Sequence, residues 1–156
     1  MLPASVCTTN GSAGRYAAHL SLTASNRTVN VWSTHLSVDS AGERVAELRN
    51  LQGCASQWPE ARILAGDFNM QASSGEYAAA VESYVDAWDS ARASGVTINY
   101  PGNCDGCTRN SRIDFVFASQ GASRLAIQSA QVFDTRDSNG ITPSDHKPML
   151  VVYAVR

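Results

Sequence analysis

Residues 141–150 read ITPSDHKPML and run directly into VVYAV at 151–155. The apolar run from 149 to 155 has the composition of a strand, so Asp145 and His146 stand just before it. A core strand gains nothing from a carboxylate or an imidazole, because a buried charge is costly unless it is paired or bound to metal. Further back, three more apolar runs are interrupted in the same way: WSTHL at 32–36, ILAGDFNM at 63–70 and SRIDFVF at 111–117. Each places Asp, Asn or His at or beside a strand end. Four such interruptions point to one shared polar site in a domain that mixes strands and helices.

The segments between these runs support a mixed α/β (α+β) fold. Residues 16–23 and 28–33 alternate in hydrophobicity around Ser25-Asn26-Arg27, which predicts a hairpin. Ser40 and Glu43 have capping-box spacing, and Val45, Leu48, Leu51 and Ala55 follow at helical period until Pro59. Residues 62–65 form a short central-strand candidate. Ser73 and Glu76 suggest a second capping box, and residues 85–88 are expected to pack back onto the core. Residues 93–111 read as loop, with 97–100 extended, whereas 113–118, 125–133 and 149–155 read as strands. The regular strand–helix rhythm of a doubly wound sheet is missing. Residues 1–15, rich in Gly, Ser, Thr and Asn, read as a loose lead-in, and residues 16–156 as the folded unit.

A chain of 156 residues that is 44% hydrophobic has the size and composition of one globular domain rather than a disordered one. The net charge of −2 excludes the global basic field of a non-specific DNA coat. No apolar run reaches membrane-spanning length, and MLPASVCTTN lacks the parts of a signal peptide. The sequence assigns no compartment. Of Cys7, Cys54, Cys104 and Cys107, the last two stand in the tight loop GNCDGC. A local Cys104–Cys107 disulfide is the preferred reading and free thiols the alternative. One C-x-x-C without a second pair is weak evidence for zinc.

The interrupting residues each carry a chemical and a plain reading. Asp67 and Asn69, two apart after a buried strand, share a side if the backbone stays extended, with Phe68 turned inward. They could hold a hard cation, orient water or bond a phosphate oxygen, or they could form an ordinary turn at a strand end. His35 could donate to a phosphoryl oxygen or be a plain hydrogen-bonding residue. His19, within an apolar strand, reads as structural. Asp114 is either a solvent-facing strand residue or a buried carboxylate that orients an imidazole, with His146 as the natural partner. Asp145 would then be a metal or water ligand, since adjacent side chains diverge.

Taken in order, Thr34-His35-Leu36, Gly66-Asp67-Phe68-Asn69, Arg112-Ile113-Asp114-Phe115 and Ser144-Asp145-His146-Lys147-Pro148 resemble the later motifs of the endonuclease/exonuclease/phosphatase superfamily. That superfamily includes DNase I-like nucleases, abasic-site endonucleases and sphingomyelin or inositol-phosphate phosphodiesterases. Val85-Asp86-Ala87-Trp88 fits a structural segment between two of those motifs, and the resemblance spans about residues 16–155.

The resemblance implies a hydrolase that acts on phosphoesters, with nucleic acid as the leading substrate and small or lipid phosphoesters as the alternative. Its catalytic residues would be His35, Asp67, Asn69, Asp114 and His146. Mg²⁺ or Mn²⁺ would be held by Asp67, Asn69 and Asp145, and phosphate by His35, Asn69, Arg112 and His146. Arg109 is a further candidate for phosphate contact. The family's early motifs, an Asn and a metal-binding Glu, have no persuasive counterpart: Asn10 lacks the strand context, and Glu43 and Glu47 fall on the expected helix.

The chain is therefore expected to form the C-terminal half of a DNase I-like sandwich, a mixed sheet with helices on one face. The bare apolar face would be covered by a second copy, giving a homodimer with four α/β/β/α layers. A non-catalytic fragment or subunit that keeps the fold is the competing class.

Overall fold

The computed structural model describes residues 4–8 and 14–156. Strands β1 (Ala4–Thr8), β2 (Tyr16–Ala24) and β3 (Arg27–His35) come first, then helix α1 (Ala41–Ala55), β4 (Arg62–Asp67) and α2 (Gly75–Val81). Next are β5 (Tyr84–Asp86), α3 (Ala87–Ala93), β6 (Thr97–Ile98), β7 (Asp114–Ser119), β8 (Leu125–Val132) and β9 (Met149–Val155). Six strands form one sheet in the order β1-β2-β3-β4-β7-β5, and three form another in the order β6-β8-β9. Within the larger sheet β3 and β4 run parallel and the other neighbours antiparallel, so the sheet is mixed.

The β2–β3 hairpin turns on Ser25 and Asn26, both with positive φ (50° and 57°). This two-residue geometry matches the twist of the flanking strands and lets both run beyond the alternating segments. The stretch expected as a loose lead-in contains β1, which pairs antiparallel with β2. Its composition is loose, but Cys7 is buried and disulfide-bonded to Cys54 of α1, and that cross-link holds the strand in place. Asn10 lies outside the described residues. Because the bridge spans 47 positions, replacing both Cys7 and Cys54 by serine is expected to cost about 2–4 kcal/mol of unfolding free energy in a denaturant titration. An unchanged midpoint would contradict that role.

Helix α1 starts as its sequence predicts, with the Glu43 backbone N–H donating to Ser40 Oγ at 3.1 Å. The second capping box does not form. The N-cap of α2 is Ser74 without a side-chain bond, and Glu76 pairs instead with Arg44 of α1 at 2.6 Å. A carboxylate this buried needs a cation more than a backbone donor. Burial alone would raise the Glu76 pKa, but the Arg44 guanidinium holds it below the usual glutamate value. Helix α3 falls where the sequence read only a segment packing back on the core. Asp86 Oδ1 starts it by accepting from the N–H groups of Trp88 and Asp89.

Helices α1 and α2 cover one face of the large sheet. The core there joins Leu48 and Leu51 to Trp32, Leu64, Phe68, Phe115 and Phe117. Phe68 meets Phe117 edge-on, with centroids 5.1 Å apart. His19 is buried and stacked on Trp32 at 4.3 Å, the structural role its position suggested. A smaller core joins Trp88 and Ala91 to Ala130 and Val132 under the three-stranded sheet. On the opposite face of the large sheet, Val6, Leu20 and Leu22 are exposed. Strand β9 also exposes Leu150 and Val152, and it pairs only with β8 among the described residues. Some apolar side chains are thus left exposed on β1, β2 and β9, while Val29, opposite Leu22, is buried.

Candidate active site

Three strand ends bring the interrupting residues together. In register, His35 of β3 lies opposite Asp67 of β4, and Asp67 lies opposite Asp114 of β7. The close approach of β3 and β4 depends on Gly66, whose φ is 136° and where an added Cβ would stand 1.9 Å from the Thr34 carbonyl oxygen. No side chain fits there, so glycine is required directly before the site aspartate.

Asp67 uses its two oxygens differently. Oδ1 accepts from the Asn69 backbone N–H at 2.8 Å, and Oδ2 lies 3.4 Å from His35 Nε2. The strand stops at Asp67 and Asn69 takes a positive φ of 48°, so the extended geometry expected for Asp67-Phe68-Asn69 is replaced by a turn closed by the aspartate itself. Phe68 still points into the core. Asn69 Nδ2 donates to the Leu36 carbonyl at 2.9 Å, which ties together the two loops that leave β3 and β4. Glu47 is fully buried and accepts from the Ser37 N–H at 2.7 Å, so it supports the loop after His35 from within.

Asp114 faces His146, whose Nδ1 lies 2.9 Å from Asp114 Oδ2. The pairing anticipated from sequence thus forms across 32 residues. Asp67, Asp114 and His146 offer ligand atoms that all lie within 4.8 Å of one another. They form the one such cluster found among the described residues. A cleft of about 460 Å³ opens beside them, lined by Gly66, Asp114, Val116, Thr135, His146 and Met149, among others.

Two expectations need correction. Asp145 does not join Asn69 and Asp67 as a ligand set: its side chain is 69% exposed and pairs with Arg109 at 2.8 Å. Adjacent side chains diverge, so turning His146 inward turns Asp145 outward. Arg112 is not presented for phosphate. It is buried against Asp86 and Asp89 and lies over the Phe115 ring at 4.9 Å. Burial would lower its pKa, but the Asp86 and Asp89 carboxylates raise it above the ordinary arginine value.

The sequence reading missed Thr108, which is fully buried beside Asp114. Its signal was only a threonine directly after a C-x-x-C loop. The structure pairs Cys104 with Cys107, and Cys7 with Cys54, so no cysteine is free.

The model of a family described as "Endonuclease/Exonuclease/phosphatase family" matches residues 4–146. No curated protein matches the chain in sequence. Among solved structures, an endonuclease/exonuclease/phosphatase from Bacteroides vulgatus is similar at 15% identity with a TM-score of 0.78. That match covers 99% of this chain and 65% of the other. A mannosyl-6-phosphatase from Bacteroides thetaiotaomicron is similar at 19% identity and a TM-score of 0.79, covering 97% and 66%. TDP2 from D. rerio, complexed with a single-strand DNA product, is similar at 16% identity and 0.74, covering 98% and 67%. At these identities the likeness is one of fold, and the chain spans about two thirds of the length of these structures.

Proposed function

The chain belongs to the endonuclease/exonuclease/phosphatase family, and from that premise we propose that it is a divalent-metal-dependent phosphoester hydrolase, with phosphodiesters of DNA as the leading substrate. The observation that carries this reading is the row of His35, Asp67 and Asp114 at paired strand ends, with His146 held on Asp114 in the lining of the cleft. His35 is 54% exposed and lies 3.4 Å from Asp67, so part of its ring is open to a ligand.

The residues fit a divalent cation. Asp67 and Asp114 are like charges at directly opposed positions, with side chains only 17% and 25% exposed. That arrangement is destabilising unless positive charge lies between them. Asp67 and Asp114 would hold Mg²⁺ or Mn²⁺, with water completing an oxygen-rich shell. When bound, the ion would supply charge stabilisation to a phosphoryl group and lower the pKa of a bound water.

The chain's own groups supply the rest. His146, held through Nδ1 on Asp114, would have Nε2 left for proton transfer with a phosphoryl oxygen or leaving group. His35, paired with Asp67, would be a second donor to the phosphate. Asn69 fixes the loop that carries this pair. Lys147 lines the cleft, whereas the charge of Arg109 is offset by its pairing with Asp145, so the DNA reading rests on family likeness more than on this surface.

Substrate class is tested by comparing plasmid DNA and bis-p-nitrophenyl phosphate with p-nitrophenyl phosphate. Cleavage of the two diesters supports a phosphodiesterase. Turnover of the monoester alone would replace that reading with a phosphatase.

The exposed face bearing Val6, Leu20 and Leu22 favours a second proposal, that another copy of the chain covers it to form a homodimer. Sedimentation at micromolar concentration should give a dimer. A monomer that stays soluble would contradict it.

A further inference from the structure

We propose that Thr108 is a positioning residue that sets the Asp114–His146 pair, an inference that rests on the hydrolase reading of that pair. Thr108 is completely buried, although it stands in the irregular segment between β6 and β7. Its hydroxyl donates to Asp114 Oδ2 at 2.5 Å and accepts from the Asp114 backbone N–H at 3.3 Å. Its carbonyl accepts from the backbone N–H of Lys147, next to His146, at 2.6 Å. One residue thus holds the carboxylate by its side chain and the histidine's loop by its backbone.

The arrangement is specific to Asp114 Oδ2, because that oxygen receives both the Thr108 hydroxyl and His146 Nδ1. Asp114 opens β7, and its side chain is only partly covered by neighbours. The hydroxyl bond from one side fixes the carboxylate rotamer, and the fixed carboxylate then selects the Nδ1–H tautomer of neutral His146. The segment holding Thr108 is itself anchored. The Cys104–Cys107 disulfide closes the preceding turn, and Asn103 Nδ2 donates to the Cys107 carbonyl at 3.0 Å. On the far side Arg109 pairs with Asp145, and Lys147 Nζ donates to the Arg109 carbonyl at 3.3 Å. The two loops are laced together with Thr108 at their centre.

Thr108→Val keeps the shape and the backbone bond to Lys147 and removes only the hydroxyl. With bis-p-nitrophenyl phosphate, kcat is expected to fall about 10- to 100-fold with KM unchanged, the range for removing a group that orients a functional side chain. Thr108→Ser should recover most of that loss. Should the valine variant fail to fold, Thr108→Ser against Thr108→Ala gives the same comparison, since both lack the methyl group.

A second readout does not depend on turnover. In metal-free protein, long-range ¹H–¹⁵N imidazole spectra should show His146 as the Nδ1–H tautomer in the natural sequence and lose that preference in Thr108→Val. If the natural chain hydrolyses no phosphoester, the hydrolase reading fails while the tautomer comparison still decides the role of Thr108. If Thr108→Val retains both kcat and the His146 tautomer while His146→Ala is inactive, the inference about Thr108 is overturned and the hydrolase reading stands.

Discussion

Replacing His146 with alanine is expected to lower phosphoester hydrolysis by about 10²- to 10⁴-fold, the usual contribution of a positioned acid–base group. The fold should survive. The His146 side chain is 27% exposed and bonds to Asp114, and its backbone N–H donates to Ser144 Oγ. Melting temperature should therefore change little while kcat collapses. Asp145→Ala provides the contrast. Its carboxylate is exposed and paired with the surface residue Arg109, so its loss should cost less than about tenfold. Equal losses for the two neighbours would return Asp145 to the metal site and contradict the geometry.

Arg112→Ala is expected to destabilise the protein by about 3–5 kcal/mol, measured as a shift in the urea unfolding midpoint. Asp86 is 3% exposed, and Arg112 is its cationic partner. Removing one member of a buried pair leaves the other as an uncompensated charge. The remaining donors to Asp86 are the N–H groups of Trp88 and Asp89 and the Tyr77 hydroxyl. Burial and the two carboxylates push the Tyr77 pKa up, so it stays a neutral donor. Arg112→Lys should recover only part of the stability, because an ammonium cannot span Asp86 and Asp89 as a planar guanidinium does. Rates per folded molecule should be nearly unchanged. A large kcat loss without destabilisation would restore the phosphate-binding role expected from sequence.

The parts of this site that could be read from sequence were those set by strand ends. His35, Asp67 and Asp114 each interrupt an apolar run, and β-sheet register then makes them neighbours. The Asp114–His146 pair was legible because a carboxylate inside IDFVF needs a partner. What could not be read depended on contacts distant in sequence. Arg112 looks like a rim cation until Asp86 and Asp89 arrive from β5 and α3. Cys7 and Cys54 carry no spacing signal, since only the packing of β1 on α1 brings them together. Asn69 defeated the extended reading because its own N–H closes onto Asp67, a local competition that alternation cannot show. Thr108 has an ordinary neighbourhood in sequence, and its importance comes wholly from burial beside Asp114.

The metal-dependent hydrolase reading is tested by hydrolysis of bis-p-nitrophenyl phosphate in Mg²⁺ or Mn²⁺, measured for the natural chain with and without EDTA and for Asp67→Ala. The expected result is turnover that EDTA abolishes and that the Asp67 variant lacks, with circular dichroism showing both proteins folded. A folded natural chain that gives no turnover in either metal, or turnover indifferent to EDTA and to Asp67, would contradict it.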